Sequence, residues 1–590
     1  MNRLHTVRTL KRSETGTALP LALMGLLMIS VLGFTLVALG MTEVNIATNW
    51  RAYNTAFYAA DAGLENGATR LRSLLQNGSS PTAKDLATIT APPPSDPKLK
   101  FSTYSVTWAN PSPPANPTGS YQTTFTSGPF TGLFGIVTDY RVTSQVTGAG
   151  GTQANLTQIV KYAQIPLFQF GIFYGQGVDL EFQPGSAMTF NGRVHANSNI
   201  GMGTRASLQF QSLITSAGAI RRTTKNQPGS IPFANDPTIA DASGTYHNLN
   251  FDHDYQPGFT KKWASPTDFA NYAKSVFGTG GKPSTVQDSA MGVGQITLPI
   301  PGLFTNPSNP DVVTHQLIEM PQASDSPELK AAKLYSQADI RIVDGVATDR
   351  NGNSVTLPAS AVTTTSFYDR REQKTETITQ VDIAKLQQVA AGVVVPANGI
   401  LYVGSTKGPG NAVRLVNGAS LPSQGLTVVS QNPVYIQGDY NTAATAPGGT
   451  HPPAAVLADA VTVLSNNWAP NNSDSKGSQP QSTRPATPTT VNAAIATGPD
   501  KESSATYDNG NLVNVIRFLE DWSGKAFTYS GSIVAMWHSQ QATGAFCCGG
   551  ANTFYEPPIR NWSYDTLFNT KVPPGTPSAV ILFKGPWSQS

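Results

Sequence analysis

Cysteine is nearly absent. The 590 residues hold two, and they are neighbours, Cys547 and Cys548. Adjacent cysteines cannot staple distant segments, so no disulfide framework holds this chain together, and the CxxC spacing of a zinc site is missing. The pair fits either a vicinal disulfide or two free thiols. Charge is scarce as well: Asp, Glu, Lys and Arg make up 13%, about half the roughly 25% usual in soluble domains. The net charge of +3 is confined to the first sixteen residues, where Arg3, Arg8, Lys11 and Arg12 face only Glu14. The remainder is formally neutral, so there is no electrostatic footprint for nucleic acid. A GxSxG elbow and a phosphate-binding loop are also missing. The 53 Gly and 44 Pro fall short of the roughly 25–30% share that marks disorder. With 39% hydrophobic residues the chain can build a core, and its excess of uncharged polar residues suits a β-rich exported protein.

What the chain has is a long apolar run. Residues 17–40 carry no charge, which at ~1.5 Å per residue spans a hydrocarbon core of ~30 Å. Basic residues precede it and Glu43 follows, an asymmetry that keeps residues 1–16 in the cytoplasm and sends the rest outward. A cleaved secretory signal has an apolar region of about 7–15 residues; Ala38-Leu39-Gly40 loosely fits its exit, but the run is too long. Beyond it, residues 41–77 contain no proline, and glycine only at Gly63 and Gly67. Ile46, Trp50, Tyr53, Phe57, Ala60, Leu64, Gly67, Leu71 and Leu74 recur in steps of four and three, a period of 3.5. The pattern predicts one unbroken helix from the membrane to about Gln76. Its seam would pack partly on the chain's own sheet and partly on neighbouring helices.

A basic leader ending in Gly16, an uncharged helix, and then Ala56, Phe57, Ala59, Ala60, Asp61, Ala62, Gly63, Leu64 and Glu65 follow in order. Over residues 12–76 the chain resembles the type IV pilin and pseudopilin superfamily, and more closely its PilX-type minor pilin N-terminal domain. The resemblance implies prepilin-peptidase cleavage between Gly16 and Thr17. It implies packing of the helix against other subunits through Leu21, Trp50, Tyr53, Phe57, Ala60 and Leu64. It also implies lipid as the helix's surroundings before assembly. Two positions depart from the family pattern: Thr17 stands where an apolar first residue is usual, and Leu21 where the fifth is usually Glu. In the family that Glu is thought to meet the amine of a neighbouring subunit. Its loss argues for a minor subunit at the filament tip or at the start of assembly.

The rest reads as β structure, giving an α+β, mainly β fold. Residues 77–165 form a Pro-rich linker and a small pilin-like antiparallel sheet, with alternation in 101–108, 139–146 and 156–162. From 166 to 468 short apolar strands with Gly and Asn corners suggest a β-solenoid-like domain with insertions. Its inward candidates are Val178, Leu180, Phe182, Met188, Phe190, Val194, Ile200, Leu208, Phe210 and Ile220, and related patches return at 425–441 and 454–468. Helices are expected at 327–337 behind an N-capping Ser326, at 381–391 and at 512–522. Residues 469–510 read as a flexible polar loop, and 511–590 as the C-terminal part of the β-rich domain.

Candidates for chemistry are few. Asp252, His253 and Asp254, with His247 nearby, make the best metal-like cluster, but no second group has ligand spacing and a solvated turn explains it. Asp349-Arg350-Asn351-Gly352-Asn353 lacks the later residues of a calcium loop and reads as a turn. His195 reads as a hydrogen-bonding strand residue. Asp179 and Glu181 share a strand face, a spacing common by chance. The sequence therefore implies neither enzyme activity, cofactor nor metal. It points to an inner-membrane, single-pass precursor displaying its β-rich part outside. The rival readings are a permanently anchored adhesive or binding protein, and an exported polysaccharide-acting enzyme. The last requires three or more carboxylates in an exposed groove.

Overall fold

The computed structural model describes residues 18–590 apart from 77–80, 95, 114, 127–129, 204–205, 223–234, 251–264, 306, 389–395, 447, 469–473, 502–511, 545 and 547–553. Helix α1, Ala18–Gln76, is continuous over 59 residues, about 90 Å at the usual rise. Pro20 sits in its first turn, where no intrahelical N–H is lost. Ser30, Thr35 and Thr42 each donate to the carbonyl four residues back, at 2.8, 2.6 and 2.8 Å. In hydrocarbon this matters, because an unmatched hydroxyl there costs free energy. The 18-residue apolar window of α1 buries nothing inside the protein, so this end of the rod is bare.

The upper end of α1 lies on an antiparallel sheet ordered β1 (Lys100–Trp108), β3 (Phe134–Thr147), β4 (Gln153–Pro166) and the C-terminal strand Ser578–Gln589, with β2 (Tyr121–Thr124) also on β3. Alternation along β4 turns Ala154, Leu156, Val160 and Tyr162 inward. With Tyr140, Val142, Val146 and Val580 they enclose Ala56, Ala60, Leu64, Ala68, Leu71 and Leu75 of the helix. The last strand pairs with β4 from Ser578↔Pro166 to Gln589↔Leu156. This corrects the expected division: the end of the 511–590 segment belongs to the helix-bearing sheet, not to the β-rich part. Everything between Leu167 and Pro577 is inserted between two adjacent strands.

The insert is dominated by parallel pairing. Leu180–Phe182, Ile200–Met202 and Ile220–Arg221 stack in register at twenty-residue spacing, Leu180↔Ile200↔Ile220. Met188–Phe190 and Leu208–Phe210 do the same, as do Val194–Ala196 and Ile214–Ser216. All ten inward candidates of the 178–220 stretch are buried. Ile172–Tyr174 pairs with Ile533–Ala535, so an eleven-stranded sheet joins the early patch to the late ones, running on through Ala454–Ala458 and Leu426–Ser430. Leu426–Ser430 is buried at every position, as expected for parallel strands covered on both faces.

Three expected helices are altered. At 327–337, Ser326 caps as predicted, its hydroxyl accepting from the Leu329 N–H at 3.2 Å. The helix nevertheless splits into Pro327–Ala332 and Leu334–Gln337, because Lys333 is extended and buried, its ammonium 2.7 Å from Asp325. At 381–391 the chain is strand up to Asp382 and then makes one helical turn, Ile383–Leu386, capped by Asp382. At 512–522 a single 3-10 turn precedes the strand Ile516–Phe518. The supposed flexible stretch 469–510 likewise carries the half-buried strand Thr489–Asn492 and the buried strand Ala494–Thr497. Its β-branched Thr489, Thr490, Val491 and Ile495 and its small apolar Ala494 and Ala496 suit an interior parallel ladder better than solvent.

Candidate functional site

The most distinctive surface is the rod α1 and its seat. Small residues set how close helix and sheet come. A Cβ on Gly63 would lie 2.2 Å from the Ser144 hydroxyl and 2.9 Å from Phe101; one on Gly67 would lie 2.6 Å from Val142 and 3.0 Å from the Tyr104 hydroxyl. Tyr104 donates to the Gly63 carbonyl at 3.0 Å and accepts from the Asn66 amide at 3.1 Å. Its burial raises its pKa, an effect the Asn66 hydrogen bond partly opposes. The C-terminal strand closes the other flank: Trp587 packs edge-on to Phe57 at 5.4 Å, Lys584 pairs with Glu65, and Gln589 reaches Tyr53.

The six helix positions expected to pack on other subunits therefore divide. Ala60 and Leu64 are 0% and 1% exposed, spent on the protein's own sheet. Phe57 and Tyr53 are half-buried, and both meet the C-terminal strand. Leu21 and Trp50 are each 67% exposed. On the face turned away from the sheet, Glu43, Trp50, Arg51 and Tyr58 lie together on one exposed patch. Sequence reasoning missed the strand's share in this site. The Phe583-Lys584-Gly585-Pro586-Trp587 run holds a cation and an aromatic, but nothing in the sequence ties them to Glu65 and Phe57. Gly16, Thr17, Cys547 and Cys548 lie outside the described residues.

The other candidates find structural partners. Asp252, His253 and Asp254 also fall outside the described residues; His247 sits 3.1 Å from Asp241. Asp349 accepts from the Asn351 and Asn353 N–H groups at 2.8 Å, with Gly352 at φ 86°, and so builds the turn the sequence suggested. His195 is buried between Thr215, 2.8 Å from Nδ1, and Asn197, 3.0 Å from Nε2. Burial drives its pKa down to about 4 although Asn197 opposes this, leaving a neutral strand residue at ordinary pH. Asp179 accepts from the Asn199 N–H, and Glu181 is buried.

Asp369, Glu372 and Glu376 do gather, but inside the insert. Glu372 lies 3.1 Å from Arg517, and Glu376 lies 3.1 Å from Lys374. Burial raises the pKa of Glu376, and the neighbouring Asp369 and Glu372 raise it further. Asp369 and Glu376 are buried and the Glu372 side chain is 5% exposed, so they form an internal ion network, not the exposed groove that the polysaccharide reading needs. His315 is another buried centre, 2.7 Å from Glu319 and 3.1 Å from Asp459. Burial alone would lower its pKa, but hydrogen bonds to Asp459 and Glu319 outweigh that and raise it.

Residues 16–65 match the PilX N-terminal family model, the same stretch that carries the resemblance in sequence. No curated protein matches the chain. Among solved structures, the competence-associated pilin ComZ from Thermus thermophilus aligns at 12% identity, over 91% of this chain and 98% of that one, with a TM-score of 0.29. At that score the alignment establishes no shared fold. The chain thus carries a PilX N-terminal segment, built as a long apolar helix, followed by a large and mainly β region.

Proposed function

We propose that this protein is a minor subunit of a type IV pilus or a related secretion filament, with α1 as its anchor in the membrane and then in the filament core. The supporting observation is the division of α1. One continuous rod is bare over its apolar end and seated on the protein's own sheet from about Tyr53 upward. A helix serving merely as a tether needs no rigid continuation past the bilayer. A helix that must leave lipid and enter a bundle does, because the same apolar side chains then pack on neighbouring helices.

In this reading the inner membrane holds the precursor with residues 1–16 in the cytoplasm, and prepilin peptidase cuts between Gly16 and Thr17. The parallel ladders of the insert are coils of a solenoid, displayed for adhesion or to start assembly. Leu21, in the place of the usual Glu, fits a subunit with none above it. Mass spectrometry of the mature N-terminus tests the reading. A chain beginning at Thr17, and one retaining residues 1–16 when the peptidase gene is deleted, is the expected result. An intact leader in wild-type cells together with absence from sheared filaments supports the permanently anchored alternative.

A further inference from the structure

Where α1, the C-terminal strand and the first strands of the insert meet, there is a cavity of about 350 Å³. Its walls include Phe130, Phe170, Phe304, Leu213, Val580 and Leu582. Its charged lining is cationic: Arg72 comes from the last turns of α1, Arg193 from the insert, and among the described residues no Asp or Glu lines it. Arg193 donates to the Thr131 carbonyl, and neither guanidinium is ion-paired to a carboxylate among the described residues. A neutral backbone oxygen leaves the Arg193 charge uncompensated in a partly buried place, which is costly unless an anion completes it. His195 also lines the cavity, but both its ring nitrogens are already engaged. Cavities of a few hundred Å³ with mostly apolar walls and few polar groups are the usual form of small-molecule sites.

We infer that this cavity binds a small apolar molecule bearing one carboxylate, its body against the phenylalanines and its charge on Arg193. The occupant is a small anion because, among the described residues, the cavity offers two cations and no anion, and an apolar one because its walls are mainly carbon. This site is independent of the filament reading, since all it takes from α1 is Arg72 and Gln76 of the last turns, and it does not involve the leader.

The test uses the full chain in lipid nanodiscs, with naphthalene-2-carboxylate as probe, followed by ligand-observed NMR and calorimetry against empty nanodiscs. Saturable binding is expected, weakened about tenfold or more by Arg193→Gln, with naphthalene-2-carboxamide binding poorly to the parent. Leu213→Trp, which fills the space without touching the charge, should abolish binding while the unfolding temperature stays near the parent's. No binding above empty nanodiscs, equal binding of acid and amide, or binding that survives Leu213→Trp overturns the inference.

Discussion

Gly67 shows how narrowly the helix is seated. In an exposed helix Gly→Ala gains roughly 1 kcal/mol of helix propensity. Here the new methyl would meet Val142 at 2.6 Å, and Val142 is a β-branched side chain fixed in the sheet. Overpacking of this kind costs about 1–3 kcal/mol, so Gly67→Val should destabilise the protein where a solvent-facing glycine would not, and a thermal melt reads the difference. Trp50, being exposed, should behave oppositely: Trp50→Ala leaves unfolding within about 0.5 kcal/mol of the parent but lowers recovery in sheared filaments. Glu520 supplies a pH signature. It is buried, with its carboxylate taking hydrogen bonds from the Ser465 N–H and hydroxyl at 2.6 and 2.7 Å. Burial pushes its pKa from 4.5 up to about 7, against the pull of those bonds and of Arg484. The folded state then holds the proton more tightly than the unfolded chain. Its contribution is fully present below about pH 4.5 and is lost as pH rises to about 7, by about 3 kcal/mol in all. Glu520→Gln should melt higher than the parent at pH 8 and not at pH 4.5. His315, with its raised pKa, titrates in the same sense, so the difference between variant and parent isolates Glu520.

Helix α1 stands or falls as an uninterrupted rod. Ile46→Pro would remove one backbone hydrogen bond and clash with the carbonyl four residues back, at ~3 kcal/mol or more. It lies between the apolar end and the seated end. The variant should still insert in membranes and fold its exported part, yet be missing from filaments; normal incorporation would count against the proposed role. This element was legible in the sequence because an uncharged run over 17–40 passes directly into a proline-free run over 41–77 with a 3.5 period. The antiparallel strands near 101–108, 139–146 and 156–162 were legible by alternation. The segment 512–522 was not. Val515, Ile516, Phe518, Leu519 and Trp522 fall at helical spacing and all are buried, but Ile516–Phe518 is a parallel strand covered on both faces, where no alternation survives. At the candidate site, Gly63, Leu64 and the exposed Trp50 could be found from the motif. The Glu65–Lys584 pair could not, since local periodicity carries no information across the inserted chain.

The insertion topology makes its own prediction. Pro166 and Ser578 are direct partners, and the Leu167 N–H donates to the Pro577 carbonyl at 2.9 Å. Replacing residues 167–577 by a short turn should therefore leave a small membrane-anchored unit of α1, β1–β4 and the last strand that still folds. It should be weaker than the parent, because Leu133, Ile165 and Ala579 would lose the apolar neighbours they share with the insert. Circular dichroism and a melt of the trimmed chain in nanodiscs check this; a chain without cooperative unfolding would show that the insert is needed for the sheet. The same arrangement governs how tension travels. Any tug on the displayed part enters the base through two peptide strands leaving side by side, so it draws both the same way and puts no shear on the ladder between them. The strain passes instead to the β3–β4 ladder, from Ile136↔Gln164 to Thr147↔Gln153, and to the seat of α1. A force–extension trace of the anchored protein should then show the base giving way in one high-force step, with no gradual peeling of its final strand.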